Sequence, residues 1–183
     1  MRERQISALQ IRRMTYAALY LAIAMVLPFV TGQIPEIGSK LCPMHIPALL
    51  CGSMCGWPWG LAVGFIAPLL RSVVFTMPPM FPTAVAMAFE MAVYGGLAGY
   101  LRLKLPQKAG FTYAVLVISM IAGRIVLGVV HVALAGLSGS EYTWKLFLSG
   151  AVLDAIPGII LQLALIPVLV IAMERAGLSL NRN

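Results

Sequence analysis

The stretch FTYAVLVISMIAGRIVLGVVHVALAG, residues 111–136, is a run of 26 residues whose only basic or acidic members are Arg124 and His131. About 20 apolar residues suffice for a helix to cross the hydrocarbon of a bilayer. The run therefore reads as a transmembrane helix, and the arginine and histidine inside it require an explanation that an ordinary core helix would not.

Outward from that stretch, apolar runs and their breakers divide the chain into six segments: 14–31, 45–57, 60–76, 82–101, 111–136 and 146–173. The whole chain has 183 residues, of which 61% are hydrophobic and 10% charged; ordinary soluble domains are about 25% charged. The expected fold is a single all-α domain over residues 1–183, a polytopic membrane protein of six transmembrane helices without a separate soluble domain. The second run is too short to span comfortably, so a short or tilted second helix is expected. A tight turn is expected at Trp57-Pro58-Trp59-Gly60, because proline and glycine favour one. The first run follows Arg12 and Arg13 as a signal peptide would, but no small-x-small cleavage site follows it, and it is read as helix 1.

The net charge of +7 raises the question of nucleic acid, but the basic residues lie at span ends and form no run interleaved with aromatics, which argues against such a partner. The cysteines Cys42, Cys51 and Cys55 lack the flanking His and Cys ligands of a zinc site, so they are read as packing residues and no metal is expected. Orientation follows from the bias of Lys and Arg toward the cytoplasm. With the amino terminus inside, that face carries Arg2, Arg4, Arg12, Arg13, Arg102, Lys104, Lys108, Arg175 and Arg182, against Lys40 and Lys145 outside. Both termini are thus expected to be cytoplasmic, with the proline-rich loops 32–44 and 77–82 facing outward.

Five ionisable residues fall within apolar runs: Arg71, Glu90, Arg124, His131 and Asp154. Each costs a few kcal/mol or more at membrane depth unless paired or wetted, so all are expected to face the bundle interior. At 1.5 Å per residue, Glu90 lies about 12 Å, His131 about 7 Å, Arg124 about 18 Å and Asp154 about 12 Å from the outer ends of their helices, with Arg71 close to its own. A cavity open to the outside and floored near the midplane would serve them all. Arg124, Gly128 and His131 share one helix face, with Gly123 beside it to admit close packing; Asp154, Gly158 and Gln162 repeat the spacing near Pro157. A purely scaffolding reading pairs Arg71 with Glu90 and Arg124 with Asp154. His45 is read first as an interface residue at the outer surface, and alternatively as a group closing the cavity from above.

Helix 1 contains Ala17, Ala18, Ala22 and Ala24; Ala18 and Ala22 are small residues four apart, a spacing that permits close helix contact in lipid. No phosphate-binding loop, metalloprotease His-Glu-x-x-His or Gly-x-Ser-x-Gly elbow occurs, so neither ATP hydrolysis nor enzymatic activity is expected. No inverted repeat of the kind common in secondary transporters is evident.

With size, six spans, the alanine-rich helix 1, the long loop after it, and the stretch Ile46-Pro47-Ala48-Leu49-Leu50-Cys51-Gly52 through Gly60-Leu61-Ala62-Val63-Gly64-Phe65, the chain resembles the substrate-binding S components of energy-coupling factor (ECF) transporters over most of its length. The resemblance implies a multi-pass protein of a prokaryotic cell membrane that captures a vitamin in an outward cavity. It then topples on docking to a transmembrane coupling protein driven by two ATPases. Ala18 and Ala22 match the family's Ala-x-x-x-Ala docking motif. The loop 32–44, with Glu36 and Lys40, would serve as a lid, and substrate contacts would come from Arg71, Glu90, Arg124, His131, Asp154 and Gln162, with no cofactor. Met44-His45 is internal and so does not match the amino-terminal Met-His of nickel and cobalt S components. Two buried arginines and His131 suit a carboxylate, which makes pantothenate the preferred substrate; a thiamine-precursor pyrimidine, folate, riboflavin and a queuosine-type base stay open. The competing class is a membrane structural or sensory protein with no transported substrate.

Overall fold

In the computed structural model, which describes residues 2–30, 42–106, 108–138 and 156–181, every regular element is a helix. They are α1 (Arg2–Val30), α2 (His45–Cys55), α3 (Trp57–Phe75), α4 (Val85–Lys104), α5 (Ala109–Ser138) and α6 (Ile156–Arg175), with a π-type turn at Met80–Ala84 leading into α4. The all-α membrane architecture is as the apolar runs imply. Five of the helices are long and apolar enough to cross a bilayer, α4 together with the turn before it. The exception, α2, has 11 residues and a length of about 16 Å, roughly half the hydrocarbon thickness.

Two boundaries differ from the sequence reading. Helix α1 begins at Arg2 rather than near residue 14, because the segment ahead of the apolar run contains good helix formers and no breaker. The turn between α2 and α3 is made by Gly56 alone, at φ 103° and ψ 164°, a conformation closed to residues with a Cβ. Trp57-Pro58-Trp59-Gly60 is instead the first turn of α3, where proline's missing N–H costs nothing because that donor would be orphaned in any case.

Helix α2 sits at the centre of the bundle, packed against α1, α3, α4 and α6, and all eleven of its residues are buried. Helix α4 forms the other half of the centre, against α2, α3 and α5. Close approach of these backbones depends on glycine. A Cβ on Gly60 of α3 would fall on the Gly52 backbone of α2 and the Gly95 carbonyl of α4. No flexible side chain stands there to yield, so three helices meet at one point through residues without side chains.

Hydrogen bonds close the bundle at the end where α4 stops. Arg102 of α4, 4% exposed, donates to Thr112 of α5 at 2.9 Å and to the Glu174 carboxylate of α6. The chain beyond α6 then folds back: the Leu180 N–H donates to the Met54 carbonyl at 2.8 Å, Arg13 donates to the Leu180 carbonyl at 2.7 Å, and the Asn181 amide donates to the Gly99 carbonyl at 3.1 Å. Two residues of the tail, Leu180 and Asn181, thereby fasten to α1, α2 and α4.

Candidate functional site

Because α2 is only half a span long and its far end meets the tail beside Gly99, its first residue, His45, lies deep inside the bundle. The segment Cys42–Met44 ahead of it is not helical yet is buried or half-buried among the helices. Irregular backbone at membrane depth is tolerated only where protein surrounds it or where it lines a cavity. Glu90 lies two residues from the middle of the Met80–Lys104 span, and Arg124 one residue from the middle of the Gly110–Gly136 span. The polar groups around His45 therefore gather close to the midplane.

Glu90 of α4, 1% exposed, stands between two cationic or potentially cationic partners. His45 Nε2 is 3.4 Å from one carboxylate oxygen and Arg124 Nη1 of α5 is 3.3 Å from the other. Arg124 Nη2 also donates to Cys42 Sγ at 3.8 Å. On the next turn of α4, the Tyr94 ring packs against the imidazole of His45 with centroids 5.1 Å apart. The ring also meets α5 at Gly123, where any Cβ would strike it; the expected close packing beside the Arg124 face is present, and Tyr94 is what fills it. Gln162 of α6, 2% exposed, donates its amide NH2 to the Cys42 carbonyl at 3.3 Å. Residues of α2, α4, α5 and α6 and of the segment before α2 thus converge on one small polar region.

Among the described residues, His45 Nδ1, Arg124 Nε and Gln162 Oε1 are buried there without a hydrogen-bond partner, while His45 Nε2 and Glu90 Oε1 have only the long ion-pair contacts at 3.4 and 3.3 Å. Native interiors seldom leave such atoms unsatisfied, since each costs about 1–3 kcal/mol. Their concentration at one place makes this region the polar centre of the bundle. Beside it, between α5 and α6, lies an apolar groove of about 710 Å³ lined by Met120, Arg124, Gly128, Ile159 and Leu163 among others. Arg124 belongs to both the groove and the ion pair.

Of the residues singled out in the sequence, Glu90, Arg124 and Gln162 are brought together. Arg71 is not paired with Glu90, contrary to the scaffolding reading. Its Nη1 donates to the Met25 carbonyl of α1 at 2.5 Å, and its guanidinium lies 5.1 and 5.2 Å from the ring centroids of Phe29 and Phe75, so it clamps α1 to α3. His131 Nδ1 lies 3.0 Å from the Leu127 carbonyl of its own helix, about 10 Å along α5 from Arg124. Asp154, Glu36 and Lys40 fall outside the described residues, and with them the proposed pairing of Arg124 with Asp154. His45 is the main correction: it is 2% exposed and set against Glu90, not at an outer interface. The signal for it was the shortness of the run that it opens, which puts the start of α2 at mid-depth. Tyr94 had a weaker one, its position four residues after Glu90 on the same helix face.

Ala18 and Ala22 are both exposed, whereas Ala17, Tyr20 and Ala24 supply the buried face of α1. Among the described residues the small-residue pair is therefore not used for packing within the bundle. Among the described residues no group of three or more His, Cys, Asp and Glu is placed to hold a metal ion.

A family model described as ECF transporter, substrate-specific component, matches residues 12–170. No curated protein and no solved structure matches the chain.

Proposed function

The chain belongs to the substrate-specific components of ECF transporters, and from that membership we propose that it captures a vitamin or related micronutrient at the Glu90–Arg124–His45 region and presents it to a transmembrane coupling protein powered by two ATPase subunits. Members of this family are transporter subunits rather than enzymes. The observation that carries the reading is the gathering of buried ionisable and polar side chains, His45, Glu90, Arg124 and Gln162, near the midplane, at the place where irregular backbone enters the bundle. Intramembrane ionisable groups of this kind mark substrate pathways by default.

Orientation and docking complete the proposal. Both termini are cytoplasmic by the distribution of Lys and Arg, so the loops before α2 and α4 face outward and the lid over the site is the segment containing Glu36 and Lys40. The exposed pair Ala18 and Ala22 on α1 is the contact for the coupling protein, flanked by the exposed apolar side chains of Met14, Leu19 and Val26. Support for pantothenate is weaker than the sequence suggested. It rested on two buried arginines and His131, and Arg71 is engaged by Met25 while Arg124 is engaged by Glu90.

Co-expression with an ECF coupling protein and its two ATPases, followed by ATP-dependent uptake of labelled vitamins into proteoliposomes, tests this reading. Uptake of one vitamin that requires this chain and ATP is expected. A chain that neither copurifies with the module nor supports uptake would refute it.

A further inference from the structure

Helix α6 ends in a turn that sends the chain back beneath the bundle. Gly177, at φ 71°, donates its N–H to the Glu174 carbonyl at 3.1 Å, and Leu178 donates to the Met173 carbonyl at 3.0 Å. This pair of bonds around a left-handed glycine is a Schellman cap, which reverses the chain direction. Ser179, Leu180 and Asn181 then run back and are buried, although chain ends are poorly ordered unless something ties them down. Here the ties reach three helices. The Leu180 backbone alone bridges two of them, donating to the Met54 carbonyl in the last turn of α2 and accepting from Arg13 of α1. The Asn181 amide donates to the Gly99 carbonyl of α4, and its Oδ1 lies beside Gly56, where an added Cβ would stand 3.3 Å from it.

Helix α1 has need of such ties. It is the least buried of the five spanning helices and packs on α2 and α3 through Ala17, Tyr20 and Ala24. Apolar contact is non-directional, so it permits a helix to slide or roll, whereas a hydrogen bond is directional and fixes register. An arginine–carbonyl bond stands near each end of α1: Arg71 of α3 donates to the Met25 carbonyl, and Arg13 donates to Leu180. Arg13 lies four residues before Ala17 and seven before Tyr20, on the buried face, while Ala18 and Ala22 are exposed. A partner seated on that exposed pair would leave the tail bonds in place and load them through α1. The load would fall on α2 at Met54, about 14 Å along the helix from His45, which is set against Glu90.

Resting on the proposed docking of α1 on a coupling protein, we infer that Leu178–Asn181 is a strap that carries displacement of α1 into α2, with Arg13 the positioning residue that fastens it. Engagement of the Ala18–Ala22 face thereby alters the polar centre around His45. In the free chain nothing displaces α1, so loss of the strap leaves that centre as it is.

Cys42 provides the readout. It lies against Arg124 and is half-buried, whereas Cys51 and Cys55 are fully buried, so labelling of Cys42 by N-ethylmaleimide, followed by peptide mass spectrometry, reports on the polar centre without any substrate. Assembly of the full chain with the ECF module is expected to change the Cys42 labelling rate about five-fold or more, the lower end of typical allosteric couplings. Arg13→Met keeps most of the stem and removes the donor; it should assemble and yet label as the free chain does. Arg13→Lys, which can still donate to the Leu180 carbonyl, should restore the change, and truncation after Leu178 should behave like Arg13→Met. A merely structural role would lower the melting temperature of the variants without altering their response to assembly. The inference is overturned by wild-type Cys42 that labels alike in the free and assembled chain, by an Arg13→Met chain that responds as wild type does, or by a folded Arg13→Met chain that no longer assembles. A wild-type chain that does not assemble with the module refutes the proposed function, and this inference with it.

Discussion

Replacing Glu90 by leucine isolates the interaction at the heart of the bundle. At 3.3 Å from Arg124 and an effective dielectric of about 20, the attraction is about 5 kcal/mol before desolvation is counted. The desolvation of both groups offsets much of this in the intact pair. The single variant, however, leaves Arg124 near the midplane without its carboxylate, and breaking a buried pair from one side costs roughly 3–5 kcal/mol. Glu90→Leu and Arg124→Leu should each destabilise by about that amount, and the double variant by much less than their sum, because it removes both desolvation costs together. The non-additivity should be about 2 kcal/mol or more, well above the roughly 0.6 kcal/mol typical of hydrogen-bond pairs between helices in a membrane protein. Unfolding of the four proteins by SDS titration in mixed micelles measures the cycle. Additivity within about 0.5 kcal/mol would refute the claim that Glu90 and Arg124 act as one unit.

Gly60→Ala should lower the melting temperature sharply, since its Cβ would meet the backbones of Gly52 and Gly95 and overpacking costs about 1–3 kcal/mol or more; Gly136→Ala, with nothing within 4 Å, serves as the control and should melt like wild type. Truncation before Leu178 removes three hydrogen bonds to α1, α2 and α4 at about 1 kcal/mol each; it should reduce thermal stability while leaving ligand affinity unchanged, and lost affinity in a folded truncation would contradict the separation of tail from site. Trp at both Ala18 and Ala22 should abolish copurification with the ECF module and uptake while preserving binding, because both residues are exposed; equal loss of binding would show instead that the face is needed for folding.

Hydropathy made the helices legible, since no other structure satisfies a backbone in lipid except a closed barrel. It failed at 57–60, where the same proline that signals a turn also suits the first turn of a helix. Glu90 and Arg124 were legible because each interrupts an apolar run, yet their mutual pairing was not. Two acids and two arginines on four helices allow several pairings, and helix order alone does not choose among them. Arg71 shows why: its partners are a backbone carbonyl and two aromatic rings, none of which announces itself by charge. His45 was misplaced because the run after it was read as reaching the outer surface, whereas 11 helical residues that finish at the far end must start in the middle.

The most direct test of substrate capture is mass spectrometry of small molecules released from the purified chain, compared with the Glu90→Gln variant. The wild type is expected to release one vitamin-sized molecule at close to one per chain, and the variant far less. A wild-type chain that releases nothing, even when purified from cells supplied with vitamins, would contradict the assignment of this polar cluster as a capture site.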